Sequence, residues 1–164
     1  MIIYLKKKEN ILDVDGFYFK CSIGKNGKKS KKSEGDLCTP KGVFKLNYLL
    51  YREDRVNIPK TKIKTKKITK SMIWCDDPRS NSYNKLKYNI DKFTYEKIYR
   101  KDHSYDYLIV IDFNQKKIIK KRGSAIFIHL TKNYKPTAGC IALKKSDFEI
   151  LLKIIMKKTF IKII

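Results

Sequence analysis

Apolar residues in this chain fall in short runs divided by polar, lysine-rich stretches, and few runs are long enough for a helix. Met1–Leu5 and Gly16–Ser22 are rich in Ile, Tyr and Phe and predict strands. Gly24–Gly35 is polar with Gly at both ends and predicts a loop with solvated lysines. Strand character returns over Gly42–Tyr51, entered through Thr39-Pro40, and Lys60–Lys70 alternates Lys and Thr with Ile as a half-exposed strand would. Met72–Cys75 is a short buried run ending at Asp76-Asp77-Pro78, followed by a polar loop to about Asp91. Tyr105–Phe113 is the strongest β signal, a near-continuous apolar run of the kind found in core strands. Ser124–Leu130 and Gly139–Leu143 predict two more strands. Ser146-Asp-Phe-Glu149 matches a capping box, and Phe148, Leu151, Leu152 and Ile155 follow at helical spacing. Ile161–Ile164 predicts a closing strand. The expected fold class is mostly β and sandwich-like, with one clear C-terminal helix, over a single domain spanning 1–164.

Composition narrows the class. The chain has 164 residues, 42% hydrophobic and 34% charged, and its 39 Lys+Arg against 16 Asp+Glu give a net charge of +23. A chain of this length buries roughly two-thirds of the surface its unfolded form exposes, enough for one core. No run approaches the ~20 apolar residues of a membrane-spanning helix. The charge invites a polyanion partner, but the arginines are confined to Arg52, Arg55, Arg79, Arg100 and Arg122, and the lysines are spread along the whole chain. Sequence-reading proteins favour Arg, whose planar fork bonds guanine edges and phosphates, so nucleic acid is not expected as a partner. Lys, Ile and Asn enrichment with scarce Arg also fits compositional drift. Met1–Leu12 carries its charges after a short apolar stretch, the reverse of a signal peptide, and no cleavage site follows.

Candidate chemistry is sparse. Cys21, Cys38, Cys75 and Cys140 form no CxxC, and His103 and His129 are the only imidazoles, so no metal site is expected and all four cysteines read as thiols. Cys140 sits between a turn and a strand in Pro136-Thr-Ala-Gly-Cys-Ile-Ala-Leu143, and His129 ends the preceding strand. A hairpin-like return would put both side chains at one end of adjacent strands, supplying a thiol, a base and backbone N–H donors for an oxyanion. On residue types alone the same pair also reads as a core cysteine and a structural histidine.

Ser124-Ala-Ile-Phe-Ile-His129 followed by Pro136-Thr-Ala-Gly-Cys140-Ile-Ala-Leu143 resembles the active-site segment of the L,D-transpeptidase (YkuD-type) catalytic domain. Glu34-Gly-Asp-Leu-Cys-Thr-Pro-Lys-Gly-Val-Phe44 is similar to the family's GDxxTPxGxF segment, and Trp74-Cys-Asp-Asp-Pro78, Tyr83-Asn84 and Tyr105-Asp106 follow in order. The resemblance covers about residues 16–155 and implies a small, compact branch of the family. It implies Cys140 as nucleophile, His129 as base oriented by a backbone carbonyl, Gly139 as the oxyanion-hole glycine and Thr137 as the residue shaping the site. Ser124 and Tyr83 lie inside matched motifs as groove-lining candidates. The chain departs from the family pattern at Ala138 and Ala142, both substrate-contact positions, and Arg122 and Lys144 stand as replacement cations for a stem-peptide carboxylate.

The implied reaction is cell-wall cross-linking. Cys140 forms a thioester with the carbonyl of an L-centre in a peptidoglycan stem peptide, and an amine of a second stem resolves it. Water in place of that amine would give an L,D-carboxypeptidase or endopeptidase. A third reading, a basic module binding an anionic polymer, predicts salt-sensitive binding that survives loss of Cys140. No cofactor, no membrane span and a monomer are expected, with work in the periplasm or cell envelope implied by the resemblance. Asp76 and Asp77 read as a strand-ending turn with ammonium binding as the alternative, Cys21, Cys38 and Cys75 as buried, and His103 as a turn residue. The charge, if it has a role, would attract carboxylate-rich stems, and rates would then fall with salt.

Overall fold

The computed structural model describes residues 1–6, 10–30, 33–89 and 92–164. Lys7 and Lys8 of the basic N-terminal stretch, Lys31 and Lys32 of the first polar loop, and Asp91 at the end of the second lie outside the described residues. The elements are β1 (Ile2–Leu5), β2 (Ile11–Val14), β3 (Phe17–Ser22), β4 (Lys28–Lys29), β5 (Thr39–Pro40), β6 (Gly42–Tyr51), β7 (Lys64–Lys67), β8 (Ile73–Cys75), β9 (Lys85–Lys87), β10 (Tyr95–Lys97), β11 (Tyr107–Ile111), β12 (Phe127–Leu130), β13 (Ile141–Leu143), α1 (Lys145–Ile154) and β14 (Phe160–Ile163).

The large sheet runs β11-β12-β13-β3-β2-β1-β14-β6-β7, and β6 also pairs with β11. That extra pairing closes the sheet on itself. The first half of β6 pairs with β14, Gly42 opposite Ile163, while its second half pairs with β11, Tyr51 opposite Tyr107. The register slips between Ile109 and Ile111, the irregularity that lets a ten-residue strand bend from one half of the sheet to the other. Inward residues from both halves, among them Ile3, Leu12, Leu46, Ile109, Ile128 and Ile161, share one core.

The second half of the sheet is buried on both faces, which is why β11 reads as an unbroken apolar run. Tyr107, Ile109 and Ile111 enter the first core, whereas Leu108 and Val110 point into a second one with Trp74, Ile98, Tyr105, Phe127 and Cys140. The small sheet β10-β8-β9 supplies Trp74 to this second core. Trp74 meets Phe127 edge-on at 4.9 Å between ring centroids.

The mostly-β reading with one helix holds, and β6 matches its predicted bounds. Three local expectations do not. The helix starts at Lys145, after Lys144 and with no side-chain cap, because Phe148 N–H closes the first turn on the Lys144 carbonyl at 2.9 Å. Ser146 is therefore already inside the helix and bonds Asp147 instead of capping it. Lys60–Lys70 forms a strand only over Lys64–Lys67, exposed throughout, with Ile63 and Ile68 buried at its two ends in different cores. This edge strand carries the charges that discourage further pairing. β2 went unread, although Asp15-Gly16 supplies the two positive φ angles, 52° and 86°, of a tight hairpin turn to β3.

The predicted helix face is buried as expected, with Phe148 stacked on Tyr107 at 5.6 Å and 11°. Phe148→Ala should lower the unfolding free energy by about 3–5 kcal/mol. A urea titration followed by tryptophan fluorescence should show an earlier midpoint with an unchanged slope.

Candidate active site

β12 and β13 are parallel neighbours, with His129 opposite Ala142. This corrects the hairpin-like return: the connection over residues 131–140 crosses back instead of reversing. It is pinned at both ends, Thr131 N–H donating to the Leu143 carbonyl at 2.7 Å and Thr137 N–H to the Ile23 carbonyl at 2.9 Å. Side chains alternate along a strand, so Cys140, two residues before Ala142, lies on the same face as His129. Parallel pairing thus gives the juxtaposition that the hairpin was expected to give.

The Cys140 thiol is nearly buried, with two backbone contacts of opposite preference. It donates to the Ala125 carbonyl at 3.2 Å, which favours the thiol, and accepts the Phe127 N–H at 3.4 Å, which favours a thiolate. Ala125 has a left-handed backbone with φ 53°, a costly conformation for a residue with a Cβ. Asn84 holds it there. Its buried amide oxygen accepts both the Ala125 N–H at 3.1 Å and the Trp74 indole N–H at 3.0 Å. Its amide nitrogen donates to the carbonyls of Phe113 and Asn114 at 3.0 and 2.9 Å.

The turn before the thiol is clamped by one hydroxyl. Thr137 Oγ1 accepts the Gly139 N–H at 3.1 Å and donates to the Cys140 carbonyl at 2.6 Å. Gly139 has φ 141°, a backbone that favours glycine. The clamp is anchored in turn to the Thr39-Pro40 segment. Thr39 Oγ1 accepts the Gly24 N–H at 2.8 Å, and Gly24 pairs with Thr137 through an isolated bridge. A Cβ on Gly24 would stand 2.4 Å from the Leu37 carbonyl oxygen, so only glycine permits this approach.

His129 Nδ1 lies 2.9 Å from the Leu130 carbonyl. A carbonyl accepts only, so Nδ1 carries the proton and Nε2 is left as the basic nitrogen. Burial lowers the imidazole pKa to about 4, with the nearby Arg100 charge acting in the same direction. The Tyr105 ring packs edge-on against the imidazole at 5.2 Å and 72°, fixing its plane. The Tyr105 hydroxyl donates to Glu96.

Cys140 and His129 open into a cavity of about 690 Å³ that Ser124, Thr137, Ala138 and Ala142 also line. Tyr83 is not among its lining residues: wholly buried, it donates to Glu34 and accepts the Gly123 N–H at 3.0 Å. Arg122 lines a different cavity, beside Phe44, Phe113 and Phe160, so it does not complete this site. Gly139's amide donor is already engaged by Thr137, so its observed contribution is conformational rather than that of an uncommitted oxyanion donor. His103 is exposed and bonds Asp106 at 2.6 Å. No cysteine forms a disulfide, and burial pushes the Cys21 thiol up to about 12, leaving it inert.

The family model for the L,D-transpeptidase catalytic domain (YkuD) matches residues 2–163, nearly the whole chain. The chain belongs to the L,D-transpeptidase catalytic-domain family. No curated protein matches it in a sequence comparison. Enzymes of this family act on peptidoglycan and are associated with the cell envelope. Among the described residues of this L,D-transpeptidase-family domain, no helix is long and apolar enough to cross a membrane.

Several cavity residues were not singled out from the sequence as site residues: Glu34, Glu96, Arg100 and Tyr105. Their positions along the chain, 34, 96, 100 and 105, carry no common spacing, and tertiary packing gathers them at one cavity, Glu96 through the pairing of β10 with β8. Asp76 joins them, while Asp77 turns away to bind Arg79 through contacts of 2.6–3.2 Å. The turn reading therefore fits Asp77 and not Asp76.

Thr137→Val keeps the side-chain shape and removes both clamp bonds. The acylation rate of Cys140 should fall by roughly ten- to a hundredfold through misplacement of the thiol, while stability drops by only about 1–3 kcal/mol. Single-turnover mass spectrometry beside a denaturation curve checks both; an unchanged acylation rate would exclude the clamp role.

Proposed function

We propose that this L,D-transpeptidase-family domain is a cysteine acyltransferase that cross-links peptidoglycan stem peptides. The supporting observation is that the Cys140 thiol and the His129 imidazole share one face of adjacent strands, with Nδ1 bound to a carbonyl and Nε2 left basic. His129 Nε2 takes the thiol proton as sulfur attacks the carbonyl carbon of an L-centre in the donor stem. The amide of Cys140 meets the oxyanion. The C–N bond then breaks, the leaving amine takes the proton from His129, and a thioester remains on Cys140. An acceptor amine attacks that thioester, gives its proton to His129 and releases the new amide. The thiolate recovers the same proton.

The Ala125 carbonyl and Phe127 N–H support this cycle because one stabilises the resting thiol and the other the sulfur anion. The nucleophile and base thus work as a neutral pair, with the proton moving only during attack. Incubation with defined muropeptides followed by mass spectrometry should yield new dimers. Shortened monomers alone would assign hydrolysis instead, and no product from a range of donors would remove both enzyme readings. Cys140→Ala should abolish turnover, and Cys75→Ala, a buried thiol outside the cavity, should not.

Desolvation of the half-buried base sets the pH profile. An exposed imidazole would lose its proton-accepting form below about 6.5, whereas His129 keeps it to about 4. The acid limb of kcat/KM should therefore fall near pH 4, with no decline between pH 7 and roughly 5.5. Stability follows the same sign. Between about 4 and 6.5 the unfolded chain binds a proton here that the folded chain does not, so this stabilisation is complete above 6.5 and is lost as pH falls to 4. A stopped-assay pH series for acylation locates the limb.

A further inference from the structure

For a chain of net charge +23, the wall of the catalytic cavity carries an unexpected sign. Glu34, Asp76, Glu96 and Asp102, a quarter of the 16 acidic residues, line it. Asp102 has a partner in Arg100, through contacts of 2.6 and 3.0 Å. Arg100 reaches Glu96 only at 4.0 Å. Among the described residues, Arg100 is the cation paired with the trio Glu34, Asp76 and Glu96, through Glu96 alone, and it is largely engaged by Asp102. Lys132 and Lys135 also line the cavity, but they are exposed and come from the separate β12–β13 connection.

Two of the three carboxylates are held by neutral hydroxyl donors. Tyr83 holds Glu34 and Tyr105 holds Glu96, each by its hydroxyl. Burial and mutual repulsion push both Asp76 and Glu96 upward from the usual carboxylate range. Two polar groups at this wall lack partners. Asp76 Oδ1 is buried without a hydrogen bond, and so is the hydroxyl of Ser124, a residue only 3% exposed that lines the same cavity. Ser124 stands beside the Tyr83 hydroxyl, close enough to influence its ionisation, yet the pair does not meet hydrogen-bond geometry. Buried acceptors left without donors beside clustered negative charge describe a place for a cationic donor group. Among the described residues no three His, Cys, Asp or Glu side chains converge as metal ligands do.

We propose that Glu34, Asp76 and Glu96, with the Ser124 hydroxyl, form a subsite for a primary ammonium group carried as a spectator by the acyl donor. This rests on the reading of Cys140 as the acylated thiol. The attacking amine is a poor occupant, because clustered carboxylates hold an amine protonated and so suppress its attack. A spectator ammonium gains from the same field, its three N–H donors matching the separated acceptors. The subsite orients the donor, and Cys140 performs the chemistry beside it.

Two synthetic tetrapeptides ending in D-Ala, with L-Lys or Nε-acetyl-L-Lys at the third position, test this. Acyl-enzyme formation on the full chain at pH 7, read by mass spectrometry, should reach half-saturation at about tenfold lower concentration for the lysine peptide. The double substitution Asp76→Asn, Glu96→Gln should bring the ratio between the two peptides to about one. Equal half-saturation in the wild type would overturn the subsite while leaving Cys140 acylation intact. If neither peptide acylates Cys140, the thiol reading fails instead. Calorimetric binding of both peptides to Cys140→Ala then decides the subsite alone: preference for lysine supports it, and equal or absent binding overturns it.

Discussion

One bent strand makes everything else possible. By pairing with β14 along its first half and β11 along its second, β6 joins two half-sheets into a closed surface around a common core. Closure leaves β11, β12 and β13 with inner faces already filled, so their outer faces can be given to a second cluster under the small sheet. Cys140 and His129 belong to that outer face, His129 within β12 and Cys140 immediately before β13. A thiol placed so needs no flexible segment to hold it, and it shares its nearly buried position with the rings of Phe127 and Trp74.

The strands could be read from the sequence wherever burial imposed a pattern, and the site wherever its residues were contiguous. Tyr105–Phe113 announced a doubly buried strand, and Thr137–Cys140 announced a turn before a thiol. What escaped was set by contacts between distant segments. Parallel pairing of β12 and β13 depends on the Thr137 bridge to Gly24, more than a hundred residues away, so nothing local distinguishes it from a hairpin. Ser146 carried a sound capping signal, but the end of β13 fixed where the helix could begin, and tertiary geometry overrode it. Tyr83 sat in a motif that matched and Arg122 lay just before one, yet proximity in the chain does not give the direction of a side chain. Tyr83 serves behind the wall and Arg122 serves another surface.

The charge looks different at two scales. Over the whole surface lysine prevails; the cavity at the thiol is lined by four acidic side chains and three basic ones. On the proposed reading, long-range attraction and local recognition act on opposite charges of one zwitterionic ligand, the first gathering carboxylate-bearing peptides and the second orienting their amines. Asp76 and Asp77 show how finely this is divided. Adjacent in sequence, one is neutralised by Arg79 and ties a turn, while the other keeps a bare oxygen at the cavity wall.

His129 takes its orientation from the carbonyl of the very next residue, within the same strand. The orientation of this imidazole is thus written into main chain, with the Tyr105 ring packed against it. The carbonyl contact persists as long as β12 keeps its extended conformation and disappears with it, which ties the orientation of this imidazole to the strand itself.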